Sequence, residues 1–205
     1  MIDPMNSGEP HPVHTCPYWI GLLLASPVRR LVESPNVLVL PLVKPGDRVL
    51  ELGPALGFFT LPVANAVGAM GKVLCVEVQE TMLAHLGKRL EKRGLRARTD
   101  LRLCSHEDLG LVDLHESCDL ALAIHVVHET LSPATTVKAL AQTLKPGGQL
   151  LMIEPPGHCP RNLFQAEIAA AEAAGLVRTA HPRAEGRKRL ALFKRPSRVE
   201  PATHA

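Results

Sequence analysis

Aromatic residues are scarce in this chain: they make up 3% of 205 residues, with one Trp, one Tyr and four Phe. So few stacking platforms argue against a surface for single-stranded nucleic acid. Charge is also nearly balanced, at +3. Basic residues are dispersed except in Arg183-Ala-Glu-Gly-Arg-Lys-Arg189, which reads as a solvated hairpin, so no electrostatic footprint for nucleic acid is expected. Long apolar runs are missing: the stretch at 20–25 is far too short to span a bilayer. The opening Met-Ile-Asp-Pro-Met-Asn-Ser-Gly-Glu-Pro has neither a positive nor an apolar leader region. Neither export nor membrane insertion is expected. The five cysteines (Cys16, Cys75, Cys104, Cys118, Cys159) are odd in number and widely spaced, which fits no disulfide framework and suits a reduced, cytoplasmic setting.

What the chain does have is enough apolar residue, 46% of the total, for one sizeable core. A single domain over 1–205 is expected. Its ends, 1–15 and 196–205, are polar and read as flexible. Residues 16–43 read as short helices, with Ser26-Pro27 as a start and Pro35 and Pro41 as breakers. From Lys44 onward, short apolar runs alternate with segments of helical period, the pattern of a doubly wound, mostly parallel α/β sheet with helices on both faces. Strands are predicted near 47–52, 72–78, 99–104, 119–125 and 149–154. Helices are predicted near 57–68, 80–93, 132–144 and 162–174, with Lys145-Pro-Gly-Gly148 stopping the third. Two last apolar runs, 177–182 and 190–194, are close enough to form an antiparallel C-terminal hairpin.

The most informative segment is Asp47-Arg-Val-Leu-Glu-Leu-Gly-Pro-Ala-Leu-Gly-Phe-Phe-Thr60, a buried-strand pattern that breaks into a glycine-bearing turn. Gly53 and Gly57 let the backbone turn where a β-carbon would clash, and a helix N-terminus beyond them would aim N–H groups at a ligand. The next strand ends in Glu77, a carboxylate able to accept two ribose hydroxyls. That much is shared by dinucleotide dehydrogenases and methyltransferases. The glycine pattern separates them: there are two glycines, with Glu51 ahead of them. A carboxylate there repels a pyrophosphate but suits the ammonium of an amino acid.

With these motifs, the chain resembles a class I S-adenosylmethionine-dependent methyltransferase of the seven-stranded, small-molecule type, over residues 44–194. The resemblance rests on Val-Lys-Pro-Gly-Asp-Arg-Val-Leu-Glu-Leu-Gly, on Glu77, on Cys-Asp-Leu-Ala-Leu-Ala-Ile-His-Val-Val-His and on Leu-Lys-Pro-Gly-Gly-Gln-Leu-Leu. It implies that Glu51, Gly53, Pro54, Ala55 and Gly57 hold the methionine end of the cofactor. Glu77 would hold the ribose and Val78 would flank the adenine. Ser105 and His106 stand where the family often has an acid for the adenine amino group, so either the serine oxygen accepts that bond, Glu107 or Asp108 reaches round, or the loop is simply solvated. Ala55 replaces a common middle glycine, which is tolerable if its backbone is not at positive φ. The family also implies that His125 offers its backbone carbonyl to the methionine ammonium, and that a lid lies near Tyr18 and Trp19.

A sulfonium methyl is already electrophilic, so the protein must chiefly align a nucleophile, with a base only if that nucleophile carries a proton. His128 and His125, leaving the fourth strand, are the candidate bases, although His128 and Glu129 could equally cap the next helix. Glu154, His158 and Cys159 leave the fifth strand. Tyr18 or Trp19 could face the sulfonium, and Trp19 could instead staple the N-terminal segment to the sheet. No metal site is demanded by the spacing of His14, Cys16, His158 and Cys159. The expected function is methyl transfer to a small molecule. A non-catalytic cofactor-binding subunit and a methyltransferase for a thiophilic element such as arsenic are the alternatives. The acceptor and the oligomeric state are not readable.

Overall fold

The computed structural model describes residues 33–183 and 189–197. The expected lid residues Tyr18 and Trp19, with His14, Cys16, the Ser26-Pro27 helix start and most of the basic run, lie outside them, as do the polar ends 1–15 and 198–205. Seven strands form one sheet: β1 (Arg48–Leu52), β2 (Lys72–Glu77), β3 (Thr99–Leu103), β4 (Cys118–Ile124), β5 (Leu144–Ile153), β6 (Val177–Thr179) and β7 (Leu190–Lys194). Their order is β3-β2-β1-β4-β5-β7-β6, with β1 to β5 parallel and β7 antiparallel to both of its neighbours. The C-terminal hairpin and the doubly wound sheet match the sequence reading.

Both faces are covered, which is why the central strands are apolar runs rather than alternating patterns. On one face, α1 (Pro35–Leu38), α2 (Thr60–Ala66) and α3 (Glu80–Lys92) bring Leu38, Val63, Leu86 and Leu90 against Val49, Val73 and Leu122. On the other, α4 (Pro133–Thr143) and α5 (Arg161–Ala173) bring Leu140, Phe164 and Ile168 against Leu50, Leu74 and Leu150. The link from β3 to β4 carries only a 3-10 turn, Val112–Leu114, and a groove of about 380 Å³ lies between that link and α4.

Three local expectations are corrected. Pro35 and Pro41 act as helix starts too: each sits in the first turn of a short helix, where its missing N–H has no intrahelical partner to lose. Lys145-Pro-Gly-Gly148 does not merely stop α4. It forms a bulged start to β5, with Leu144 opposite Cys118 and pairing resumed only at Gln149 opposite Leu120. Gly147 at φ 84° makes the bulge possible, and Arg195 closes it through backbone hydrogen bonds to Gly147 and Gly148. Finally, α2 begins at Thr60, three residues later than predicted, because the turn after β1 takes up residues 55–59.

The α4 face supplies a direct check on the core. Leu140 is fully buried between α4 and the sheet. Leu140→Ala is expected to cost about 2–5 kcal/mol in urea denaturation, since the transfer and cavity penalties add.

Candidate active site

In a parallel sheet every strand leaves by the same edge. Leu52, Glu77, Leu103, Ile124 and Ile153 therefore end together, and the loops that follow them line one cleft. After β1, Gly53 (φ 65°), Ala55 (φ 47°) and Gly57 (φ 82°) alternate left-handed backbone through the turn. A Cβ at Gly53 would lie 2.8 Å from the Val126 side chain, and one at Gly57 would lie 2.5 Å from Leu86. Both glycines are thus required on two grounds, conformation and space. Ala55 is at positive φ, against the condition set from sequence, and carries a strain of about 1–2 kcal/mol. The Arg89 guanidinium on α3 steadies the turn by donating to the Leu56 carbonyl.

Glu77 ties this turn to the end of β2. One of its oxygens accepts from the N–H of Ala55 at 3.2 Å, and the other from the N–H groups of Val78 and Gln79 at 2.9 and 3.1 Å. Burial pushes its carboxyl above the usual range, and these three N–H groups restrain the rise. Glu51 is buried deeper in β1, between Cys75 of β2 and Leu122 of β4 in register. It therefore lies beneath the glycine turn. Val78 is half-buried beside Glu77. Ser105 is exposed, and its hydroxyl oxygen accepts from the N–H groups of Glu107 and Asp108, closing its own loop. His106 is half-buried, close enough for its charge to lower the Glu77 carboxyl.

The exit of β4 is built differently. His125 is in the left-handed region at φ 59°, with its N–H donated to Ile153 at 2.7 Å and its Nε2 lying 2.8 Å from the Glu33 carboxylate. The structure thus engages this ring with the segment entering α1. His128 follows in a 3-10 turn, Val127–Glu129, and its Nδ1 is hydrogen-bonded to Glu154, which leaves β5. Glu154 is 1% exposed, and its other oxygen accepts from the Val127 N–H at 3.0 Å. One buried carboxylate therefore fixes both the turn and the ring. The Nε2 of His128 lies 3.9 Å from Glu129. His158 is exposed on the loop after β5, whereas Cys159 is buried.

A further carboxyl belongs to this cluster, and the sequence reading missed it. Glu167 on α5 is 0% exposed. Its signal was available: it falls one helical turn from Phe164 and from Ala171, on the apolar stripe of an Ala-rich helix. Burial and then the Glu154 charge push it up to about 8, with His128 and Arg189 opposing. Burial, opposed by His128 and aided by Glu154 and Glu77, pushes Glu129 to about 7. Burial alone would lower the His128 imidazole, but the hydrogen bond and charge of Glu154, with Glu129 and Glu167, raise it. Burial also pushes the thiols up, to about 11 at Cys104 and about 12 at Cys159. These groups stay protonated at neutral pH, and among the described residues no cysteine trio for a thiophilic element is assembled.

The residues fit the adenosine and methionine ends of the expected cofactor: a cradle that Cβ atoms would fill and a buried carboxylate at the end of β2. Comparison with known proteins agrees. The Methyltransferase domain family matches residues 50–152, half of the chain, and the chain belongs to that family. It carries an enzyme domain of the S-adenosylmethionine-dependent methyltransferase class, and its cofactor is S-adenosylmethionine. Over 112 residues it is 31% identical to the ubiquinone/menaquinone biosynthesis C-methyltransferase UbiE of Xylella fastidiosa (strain M12), covering 55% of this chain and 44% of that protein. The chain thus spans less than half the length of that curated relative. Among solved structures it is similar to an S-adenosylmethionine-dependent methyltransferase from Aquifex aeolicus, with TM-score 0.72, 21% identity and coverage of 88% and 98% of the two chains. An S-adenosylmethionine-dependent O-methyltransferase from Thermotoga maritima gives TM-score 0.59, 18% identity and coverage of 87% and 73%. At such identities these two neighbours show the fold alone.

The carboxyl cluster makes stability depend on pH. Glu129 and Glu167 bind protons more tightly when folded than the usual value of 4.5, and His128 more tightly than 6.5. Between these reference values and the folded ones the native state holds more protons than the unfolded state, so stability falls as pH rises from about 4.5 to about 8. Denaturation at several pH values should show this decline, and Glu167→Gln should flatten it by an amount on the order of a few kcal/mol.

Proposed function

We propose that this chain transfers a methyl group from S-adenosylmethionine to a small-molecule acceptor whose nucleophile must first lose a proton, with His128 as the base. The observation that carries this reading is the buried Glu154, which holds the His128 ring by Nδ1 and its turn by the Val127 N–H. An imidazole anchored at one nitrogen by a carboxylate presents the other as a directed proton acceptor. The turn from Gly53 to Gly57, with Glu51 beneath it, would hold the methionine end of the cofactor. Glu77 would hold the ribose hydroxyls and Val78 the adenine face, with Ser105 and His106 at the adenine rim. The His125 carbonyl would meet the ammonium. When bound, the sulfonium supplies an electrophilic methyl group.

The curated relative named above acts in ubiquinone and menaquinone biosynthesis as a C-methyltransferase, which supports a hydroxylated ring of quinol type as acceptor. Such a ring suits the site chemically. Transfer of a hydroxyl proton to His128 Nε2 would push charge onto the ring carbons; one of these would bond the methyl group as the S–CH₃ bond breaks and neutral S-adenosylhomocysteine leaves, and the His128 proton would return to the ring oxygen once that carbon has lost its own proton to water. Loss of the proton from that carbon restores aromaticity. The odd number and wide spacing of the cysteines support a reduced, cytoplasmic setting.

Two measurements test the reading. In calorimetry with the product S-adenosylhomocysteine, Glu77→Ala should weaken binding about 10- to 100-fold through the loss of charge-assisted hydrogen bonds, and an unchanged affinity would remove its ribose role. In a radiolabelled-methyl assay with a ring-demethylated hydroquinone, turnover should rise with pH through a group above 6.5, because His128 acts only when deprotonated and its proton is held tightly. His128→Asn should lose about 10²- to 10⁴-fold in turnover while keeping product affinity. Full turnover by that variant contradicts the assignment of the base.

A further inference from the structure

We propose that Glu167 is a positioning residue that sets the charge state of the His128–Glu154 pair from beneath the site, an inference that rests on reading His128 as the base. Glu167 projects from the inward stripe of α5, which packs against α4 and the turn holding His128. Neither of its carboxyl oxygens has a hydrogen-bond partner among the described residues, although it is 0% exposed. A buried carboxyl without donors is costly when charged, so its ionisation depends on what faces it.

Four groups are electrostatically coupled to it, from four parts of the chain: Glu154 after β5, His128 in the turn after β4, Cys159 in the loop before α5, and Arg189 just before β7. The thiol is protonated and contributes no charge. Arg189 opposes a negative charge on Glu167, but its Nη1 is itself buried without a hydrogen-bond partner among the described residues, so it makes no closed ion pair. What remains is the triad of Glu167, Glu154 and His128, with Glu129 acting on the imidazole from its Nε2 side. With Glu167 protonated, Glu154 and the imidazole form a balanced pair, and His128 can release its proton to become the free base. With Glu167 ionised, two carboxylates surround one imidazole, and the proton stays on His128. The buried carboxyl thus governs how readily the base is available, without touching the acceptor.

This coupling is readable by NMR of the full-length protein labelled with ¹³C-histidine and saturated with S-adenosylhomocysteine, the His128 signal being identified by its loss in His128→Asn. In the wild type, that signal should show, besides its own inflection and any from Glu129, one near pH 8 from Glu167. In Glu167→Gln the inflection near pH 8 should vanish and that of His128 itself should move to lower pH. A wild-type curve without an inflection near pH 8 would overturn the proposal. Because the wild-type curve is diagnostic alone, poor folding of the variant does not shield it. The readout needs no acceptor: absence of coupling leaves the base assignment standing, and full turnover by His128→Asn would leave the coupling standing.

Discussion

Everything in the site depends on the direction of the central strands. Five parallel strands in register must all end on one edge, where their last backbone groups lose ladder partners and must be met by turns, side chains or ligand. The chain meets that demand with carboxylates. Glu77 takes up three N–H groups from two exits, and Glu154 takes up Val127 and fixes His128. The same groups that complete the fold at this edge are therefore the polar groups of the cleft, and at Glu77 burial also raises the affinity for a proton.

The two carboxylates divide the cleft into regions of different character. On the Glu77 side, backbone donors dominate and the glycine turn leaves room for a ligand to approach the main chain. On the Glu154 side, side chains dominate: His128, Glu129 and Glu167 share few protons among several acidic groups. The first region is suited to holding a nucleoside by fixed geometry. The second is suited to moving a proton, because small changes in charge there are felt by every member.

The sequence made the sheet legible because strands covered on both faces are written as plain apolar runs, as in Val-Leu-Cys-Val of β2. Glu77 was legible for a related reason: a lone acid at the end of such a run has no role in the core. The bulge in β5 was not, since Pro146, Gly147 and Gly148 signal a turn without saying whether pairing resumes across it. The His128–Glu154 contact joins residues from different strands, and only the register of β4 on β5 brings them together. Glu167 was hidden in an alanine-rich helix that carries no motif, although its place on the stripe of Phe164 and Ala171 marked it as inward.

The left-handed Ala55 bears on how such turns are to be sought in other chains. The turn requires a backbone conformation at this position, and glycine is only the residue that adopts it most cheaply. Here the neighbouring N–H bond to Glu77 holds the conformation despite a methyl group. A pattern written in glycines passes over such a chain, whereas one written as strand, left-handed turn and acid at the end of the next strand finds it. Divergence at the middle position is then a matter of who supplies the restraint, the residue itself or the carboxylate across from it.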